Sequence, residues 1–248
     1  MHSIRKGLLA GLSASLLLVS LAGAAAAHGQ TATYRVTITN LTEGQPFTPP
    51  LVALHRPSVD VFSVGSKASF GVKEIAENGN LAPLLGSLGS AKGVGAVDAA
   101  GAPVVPAGSI GETVYRFSST STLTITAPKN ATRFSWVSML ICTNDGFTGV
   151  DSVRLPQHVG DSVSRSTAGY ETSTERNTEA YGDIVPPCQT WVSGTDVPGT
   201  AMSNPADLAE NGVIRHHDGI VGIADLDPSV HGHGWTNPVA TIVVERIG

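Results

Sequence analysis

The sequence contains few cysteines, few charged residues and few aromatic residues. Only 2 of its 248 residues are cysteine, 14% are charged and 5% are aromatic. A formal charge of −5 excludes the broad basic face that nucleic-acid binding requires, so we expect no nucleic-acid partner. Two cysteines are too few for a disulfide-rich miniprotein, and a chain of this length can bury a core without such crosslinks.

The sequence has a single long apolar run, at its amino terminus. A short basic segment with Arg5 and Lys6 precedes the apolar residues 7–22, and residues 24–27 are all alanine. This order is typical of a cleaved signal peptide. We therefore predict a signal peptide at 1–27 and export to the bacterial periplasm or the extracellular space. Because no second run approaches the roughly 18 apolar residues of a membrane span, we expect no transmembrane segment.

The predicted export determines how the two cysteines are interpreted. An isolated pair in an oxidising compartment is usually bonded, so we expect a disulfide between Cys142 and Cys188. The alternative is a pair of free, buried thiols.

The ends of the mature chain predict β-structure. Residues 33–39 alternate polar and apolar side chains, and residues 240–247 are rich in β-branched residues. We expect these first and last strands to pair. The sequence thus predicts a single, mainly all-β domain at 28–248, an antiparallel β-sandwich with one or two short peripheral helices. Residues 69–88 have a loosely helical pattern, which Gly79 and Pro83 interrupt.

The middle of the chain is less regular. Four further segments are rich in β-branched or aromatic residues, and we expect them to be strands: 113–117, 121–126, 134–142 and 152–155. Residues 91–108 are rich in Gly, Ala and Pro and predict a surface loop. Residues 160–212 are polar and predict a long loop region, which the disulfide would hold in place.

Acidic residues occur in two blocks after the apolar run 134–142. Asp145 and Asp151 flank a Gly-rich segment, and Glu171 and Glu175 follow at a distance. Calcium takes six to eight oxygen ligands, which such carboxylates and nearby carbonyl groups can supply. The alternative interpretation is a solvated acidic rim.

Both blocks resemble the spondin-type domain, the amino-terminal module of F-spondin and mindin, which also occurs alone in secreted bacterial proteins. The family motif Pro-Asp-Trp-Phe-x-Gly-Val-Asp-Ser corresponds here to Asn144-Asp145-Gly146-Phe147-Thr148-Gly149-Val150-Asp151-Ser152. The family motif Tyr-Asp-Ala-Gly-Thr-Asp corresponds to Tyr170-Glu171-Thr172-Ser173-Thr174-Glu175. Tyr34-Arg35-Val36 and the closing Val-rich strand extend the resemblance over most of the mature chain.

The resemblance implies a β-sandwich similar to C2 domains, with a calcium ion held in loops at one end. It assigns the ion to Asp145, Asp151, Glu171 and Glu175. The chain departs from the family where Gly146 replaces Trp. In the second block, Glu replaces Asp at both acidic positions, which lengthens each of these side chains by one methylene.

A second group of possible metal ligands is rich in histidine. His216, His217, His231 and His233 lie near several aspartates, and imidazole suits zinc, copper or nickel. Their spacing matches no strong metal motif, and a polar loop is the alternative.

Enzymatic chemistry has weak support in the sequence. Cleavage after Ala27 would expose His28, as in copper-dependent oxidases, with His55, His216 or His217 as a second ligand. No Gly-x-Ser-x-Gly motif supports a hydrolase. We therefore expect a secreted, non-enzymatic binding or adhesion module with a calcium-stabilised rim, whose partner is an extracellular or envelope glycan or protein. A copper oxidase or a hydrolase is the alternative.

Overall fold

The computed structural model describes residues 30–192 and 205–248. The predicted signal peptide and His28 lie outside these ranges. Within them, ten strands occur in chain order: β1 (Thr31–Asn40), β2 (Leu51–His55), β3 (Val94–Ala99), β4 (Thr120–Pro128), β5 (Arg133–Met139), β6 (Gly146–Arg154), β7 (Ser162–Thr167), β8 (Gly169–Glu171), β9 (Arg215–His216) and β10 (Ala240–Arg246).

The strands form two antiparallel sheets, which confirms the predicted all-β sandwich. One sheet has the order β4-β1-β10-β7, and the other has the order β3-β2-β5-β6-β8-β9. The first and last strands pair as predicted, with Val36 opposite Val244 at the centre of the register. This pairing places both ends of the described chain in one sheet.

Alternation along β1 explains how the first sheet meets the core. Its inward residues Tyr34, Val36 and Ile38 are buried, whereas the outward positions carry hydroxyl groups such as that of Thr33. From the facing sheet, Phe134 and Trp136 pack into the same core cluster. Burial of an aliphatic side chain of this size contributes roughly 1.5–3 kcal/mol, so this face supplies the main stabilisation of the sandwich.

Two short helices cover the outer face of the second sheet, as residues 69–88 predicted. Helix α1 (Phe70–Asn78) begins after Ser69, whose hydroxyl accepts the backbone N–H of Val72. It ends at Gly79, which takes the left-handed conformation with φ 63°. Helix α2 (Ala82–Ser90) begins with Pro83 in its first turn, where the missing N–H costs nothing.

Those helices bury an apolar face against the sheet and form a second core. Val72 and Ile75 of α1 and Leu84 of α2 join Leu51 and Val137 in one buried cluster. Helix α1 therefore has a fixed position beside the strands that carry the acidic motif.

Three predicted segments were wrong. The expected loop region at 160–212 contains strands β7 and β8, because their backbones pair with β10 and β6. Residues 94–99 of the expected loop at 91–108 form edge strand β3, because their backbone pairs with β2. The expected strand at 113–117 is absent: helix α3 (Ile110–Thr113) ends there, and Arg116 has a φ of 64°, which extended backbone does not allow. Helix α4 (Pro187–Val192) and a 3₁₀ turn (Tyr181–Asp183) complete the described elements. None of the described helices has the length and apolar character to span a membrane.

Candidate functional site

The Gly-rich acidic motif lies in a strand and not in the rim loop that we expected. Residues 146–151 belong to β6, where Phe147 faces Met139 on one side and Tyr170 on the other. Gly149 lies so close to the backbone carbonyl of Trp136 that a Cβ would clash with it. These residues therefore serve strand packing.

The first acidic residues of the two blocks do meet, at the start of this strand. Gly146 pairs with Glu171 of β8, and the backbone N–H of Thr172 donates to the carbonyl of Asp145 at 3.2 Å. The Asp145 carboxylate then organises the chain that follows β8. Its Oδ2 accepts the Thr172 hydroxyl at 2.9 Å and the backbone N–H groups of Thr174 and Glu175 at 2.8 and 3.2 Å.

Asp151 has a different position. Its Oδ1 accepts the backbone N–H of Val61 at 2.9 Å and the Ser135 hydroxyl at 2.8 Å, so it anchors the segment after β2. Six residues of strand separate it from Asp145, which corresponds to roughly 20 Å of extended chain. The structure thus places Asp151 apart from the other three predicted ligands.

A fourth acid, Glu77 of α1, takes part instead. Its Oε1 accepts the Thr174 hydroxyl at 2.6 Å, and the Thr172 and Thr174 hydroxyls lie 2.6 Å apart. A chain of hydroxyl groups thereby connects Glu77 to Asp145. We use the name carboxylate cluster for Glu77, Asp145, Glu171 and Glu175.

Glu77 was not predicted as a site residue because its sequence context indicates a solvent-exposed position. Lys73 lies four residues before it, and such a pair is typical of a solvated helix face. Lys73 Nζ indeed lies 3.6 Å from Glu77 Oε2, but the Glu77 side chain is only 1% exposed. Its burial comes from the contact with the 172–175 segment, which local sequence does not encode.

Burial dominates the electrostatics of the carboxylate cluster. Asp145 is 0% exposed and Glu171 is 1% exposed. Loss of hydration raises the pKa of all four acids above their ordinary values. For Glu175, burial and the neighbouring charges of Glu77 and Asp145 raise the pKa to about 8.

Basic side chains neutralise this charge in part. Arg215 lies 2.5 Å from Glu171 Oε1, and Lys73 pairs with Glu77. If all four acids are ionised, these two cations leave two negative charges without a counterion. A divalent cation, or protons, would balance them.

Three buried oxygens of the cluster, Glu77 Oε2, Asp145 Oδ1 and Glu171 Oε1, accept no hydrogen bond from the described residues, and of the three only Asp145 Oδ1 also lacks an ion-pair partner. Among the residues that the structure describes, none donates a hydrogen bond to the buried Asp145 Oδ1. The donor set consists of carboxylate and hydroxyl oxygens, which suits a hard cation such as calcium. No three carboxylates in the described ranges bring their oxygens within 4.8 Å of one another. A bound ion would therefore draw the side chains closer together.

The four predicted histidines do not form a common ligand set in the described structure. His216 is exposed and packs on Tyr170, and His231 is exposed and pairs with Glu43. His217 is buried against Trp235, and His233 is buried near Tyr181.

The predicted disulfide is confirmed. Cys142 and Cys188 are bonded, with their Cα atoms 4.9 Å apart, and they lie beside His233. The buried Gln45 side chain holds this region together: it accepts the Cys142 N–H at 3.1 Å and donates to the His233 carbonyl at 2.6 Å. The bond ties α4 to the end of β5.

His217 leads to a prediction for acid stability. Burial lowers its pKa to about 4, while the unfolded chain keeps the ordinary value near 6.5. The contribution of neutral His217 to the free energy of unfolding is therefore complete above pH 6.5 and is lost as pH falls through 4. We expect the native protein to lose on the order of 3 kcal/mol relative to His217→Asn between pH 7 and 4, measured by urea unfolding.

The design of that variant keeps the local hydrogen bond, because an Asn oxygen can replace Nδ1 as acceptor for the Gly219 N–H. His158→Asn is the control, since the His158 side chain is 84% exposed. An equal pH dependence of the His217→Asn variant and the native protein would contradict the prediction.

Comparisons of the sequence with protein families and with curated proteins identify no relative. No protein-family model matches this chain, and no curated protein sequence matches it. The resemblance to the spondin-type domain therefore stays a prediction that depends on the two motifs.

Proposed function

We propose that the protein is a secreted, non-catalytic binding module in which the carboxylate cluster holds a calcium ion. The observation that carries this proposal is the burial of four carboxylates from three separate segments, among which Asp145 Oδ1 has neither a hydrogen-bond donor nor an ion-pair partner in the described structure. Buried charges are costly unless they are paired, and when all four acids are ionised two of these charges remain uncompensated. The resemblance to the spondin-type family supports the same ion at this end of the sandwich.

In this proposal the ion determines the position of the chain after β8. Asp145 already binds the backbone of residues 174 and 175. A calcium ion shared with Glu77 would fix that segment against α1, so that the surface around it has one shape for a partner. We propose that the partner is an extracellular or envelope glycan or protein.

The test is a thermal melt at pH 8, with EDTA or with calcium. A ligand that binds only the folded state at 100 times its Kd adds about 2.7 kcal/mol. For a chain of this size, that stabilisation corresponds to a rise in Tm of about 5–10 °C. We expect calcium to raise Tm by this amount over the EDTA sample, and Asp145→Asn to abolish the rise.

Asp151→Asn is the matched control. It removes an equal charge from the same strand, keeps an acceptor for the Val61 N–H, and lies away from the cluster. We expect it to keep the full calcium effect. No change in Tm on adding calcium to the native protein would contradict the cation site. Loss of the effect in both Asp145→Asn and Asp151→Asn would favour the ligand set that the sequence predicted.

A further inference from the structure

Helix α1, which carries Glu77 of the carboxylate cluster, also lines a cleft through Glu74 and Asn78. The volume of the cleft is about 590 Å³, a size that accommodates a small organic molecule. Met139 at the end of β5 lines it, together with Pro187 and Trp191 of helix α4. The polar part of its lining comes from Thr48, Glu74, Asn78 and Asn80. The cleft thus combines an apolar, partly aromatic surface with a small polar group.

The charge of this cleft has one sign. Glu74 is its single charged lining residue, because no Lys, Arg or His belongs to the described lining. Within the described ranges, Glu74 forms no ion pair. The Asn80 side-chain amide donates to Glu74 Oε2 at 3.0 Å, so the carboxylate has a fixed position while its charge is not neutralised.

The walls of the cleft are held in place before any ligand binds. The Cys142–Cys188 disulfide ties α4 to the end of β5, and Trp191 packs edge-on against Phe117 at 5.0 Å. A site with fixed walls loses little conformational entropy on binding, which favours affinity.

From these observations we infer that the cleft binds a small organic amine, with its ammonium group on Glu74 and its apolar body against Trp191 and the prolines. This inference goes beyond the proposed function, because it adds a small-molecule site to the glycan or protein partners proposed above. A carboxylate with no basic partner attracts a cation. An anionic ligand would meet repulsion, and a neutral one would leave the Glu74 charge unpaired.

The experiment compares three probes of similar shape by isothermal titration calorimetry with calcium-loaded protein: 4-phenylbutylamine, 4-phenylbutanol and 4-phenylbutanoate. We expect the amine to bind at least ten times more tightly than the alcohol, and the carboxylate to bind least. In Glu74→Gln, which keeps an acceptor for the Asn80 amide, the amine should bind no better than the alcohol. Trp191→Leu should weaken the binding of the amine and of the alcohol by the same factor.

Glu77→Gln separates this inference from the proposed function. The two acids lie three positions apart on one helix, but Glu77 belongs to the carboxylate cluster and does not line the cleft. We expect Glu77→Gln to reduce the calcium effect on Tm and to keep the preference for the amine. Glu74→Gln should do the reverse. Absence of amine binding, equal binding of amine and alcohol, or a preference that survives in Glu74→Gln would overturn the inference, while the calcium melt would remain an independent test.

Discussion

Replacing both cysteines with alanine is expected to destabilise the protein by on the order of 4 kcal/mol. The bond closes a loop across a sequence separation of 46 residues. On the chain-entropy account, the loss arises because the unfolded Cys142→Ala/Cys188→Ala chain has far more conformations. Since both positions are fully buried, alanine introduces no polar group into the core. Urea unfolding at 25 °C and neutral pH measures the difference.

Two comparisons make this measurement specific to the bond. Adding a dithiol reductant to the native protein should produce the same loss, and the alanine variant should not respond to the reductant. A surface variant, Ser164→Ala on the exposed side of β7, should keep the native midpoint. Equal unfolding midpoints of the native and double-alanine proteins would show that the disulfide adds nothing to stability.

The disulfide also shows which parts of the fold the sequence can predict. Its pairing followed from the cysteine count and the predicted export. The strands β1 and β10 were predictable because half-buried strands alternate polar and apolar residues, as Tyr34, Val36 and Ile38 do between threonines. The break between α1 and α2 was predictable because Gly79 and Pro83 have specific backbone preferences.

Elements that depend on tertiary pairing were not predictable in this way. Strand β3 has the sequence VGAVDA, which has weak β-propensity, and it is extended because β2 offers it an edge. The segment after α3 shows the opposite error, because a strand was predicted there and none forms. Val114 and Tyr115 favour a strand locally, yet both are exposed and no neighbouring strand pairs with them in the described structure.

The candidate site divides in the same way. The resemblance of the two acidic blocks to the spondin-type motifs predicted that the blocks would meet, and Gly146, directly after Asp145, does pair with Glu171. Spacing along one strand could not separate Asp145 from Asp151, because a motif of six residues occupies a loop or a strand with equal ease on paper. Glu77 comes from a helix almost 70 residues earlier, and only the packing of α1 against the sheet brings it to the cluster.

Glu175→Gln is expected to remove a large part of the loss of stability that the calcium-free protein shows at alkaline pH. In the folded state, burial and then the charges of Glu77, Asp145 and Asp183 raise the Glu175 pKa to about 8, while the unfolded chain keeps a value near 4.5. A raised folded pKa contributes stability that is complete below pH 4.5 and is lost as pH rises through 8. Each pH unit between these values costs about 1.4 kcal/mol.

We therefore expect the free energy of unfolding of the native protein in EDTA to decrease, relative to that of Glu175→Gln, by on the order of 4 kcal/mol between pH 5 and 9 in urea unfolding experiments. Glutamine resembles the protonated acid, so the two proteins should be nearly equal at pH 5. Glu112→Gln is the control, because Glu112 lies at the surface, where its carboxylate accepts the Gly108 N–H. Taking the difference between variant and native protein removes the contribution of His217, which both share.

The same measurement in the presence of calcium tests whether binding of the ion displaces the proton of Glu175. A cation that binds the carboxylate cluster must displace the Glu175 proton, so calcium should stabilise the native protein more at pH 9 than at pH 6. In Glu175→Gln, where no proton is displaced and one ligand charge is missing, the calcium effect should be smaller and independent of pH in this range. A calcium effect on the native protein that is the same at pH 6 and pH 9 would mean that the ion binds away from Glu175, even if the melt at pH 8 shows stabilisation.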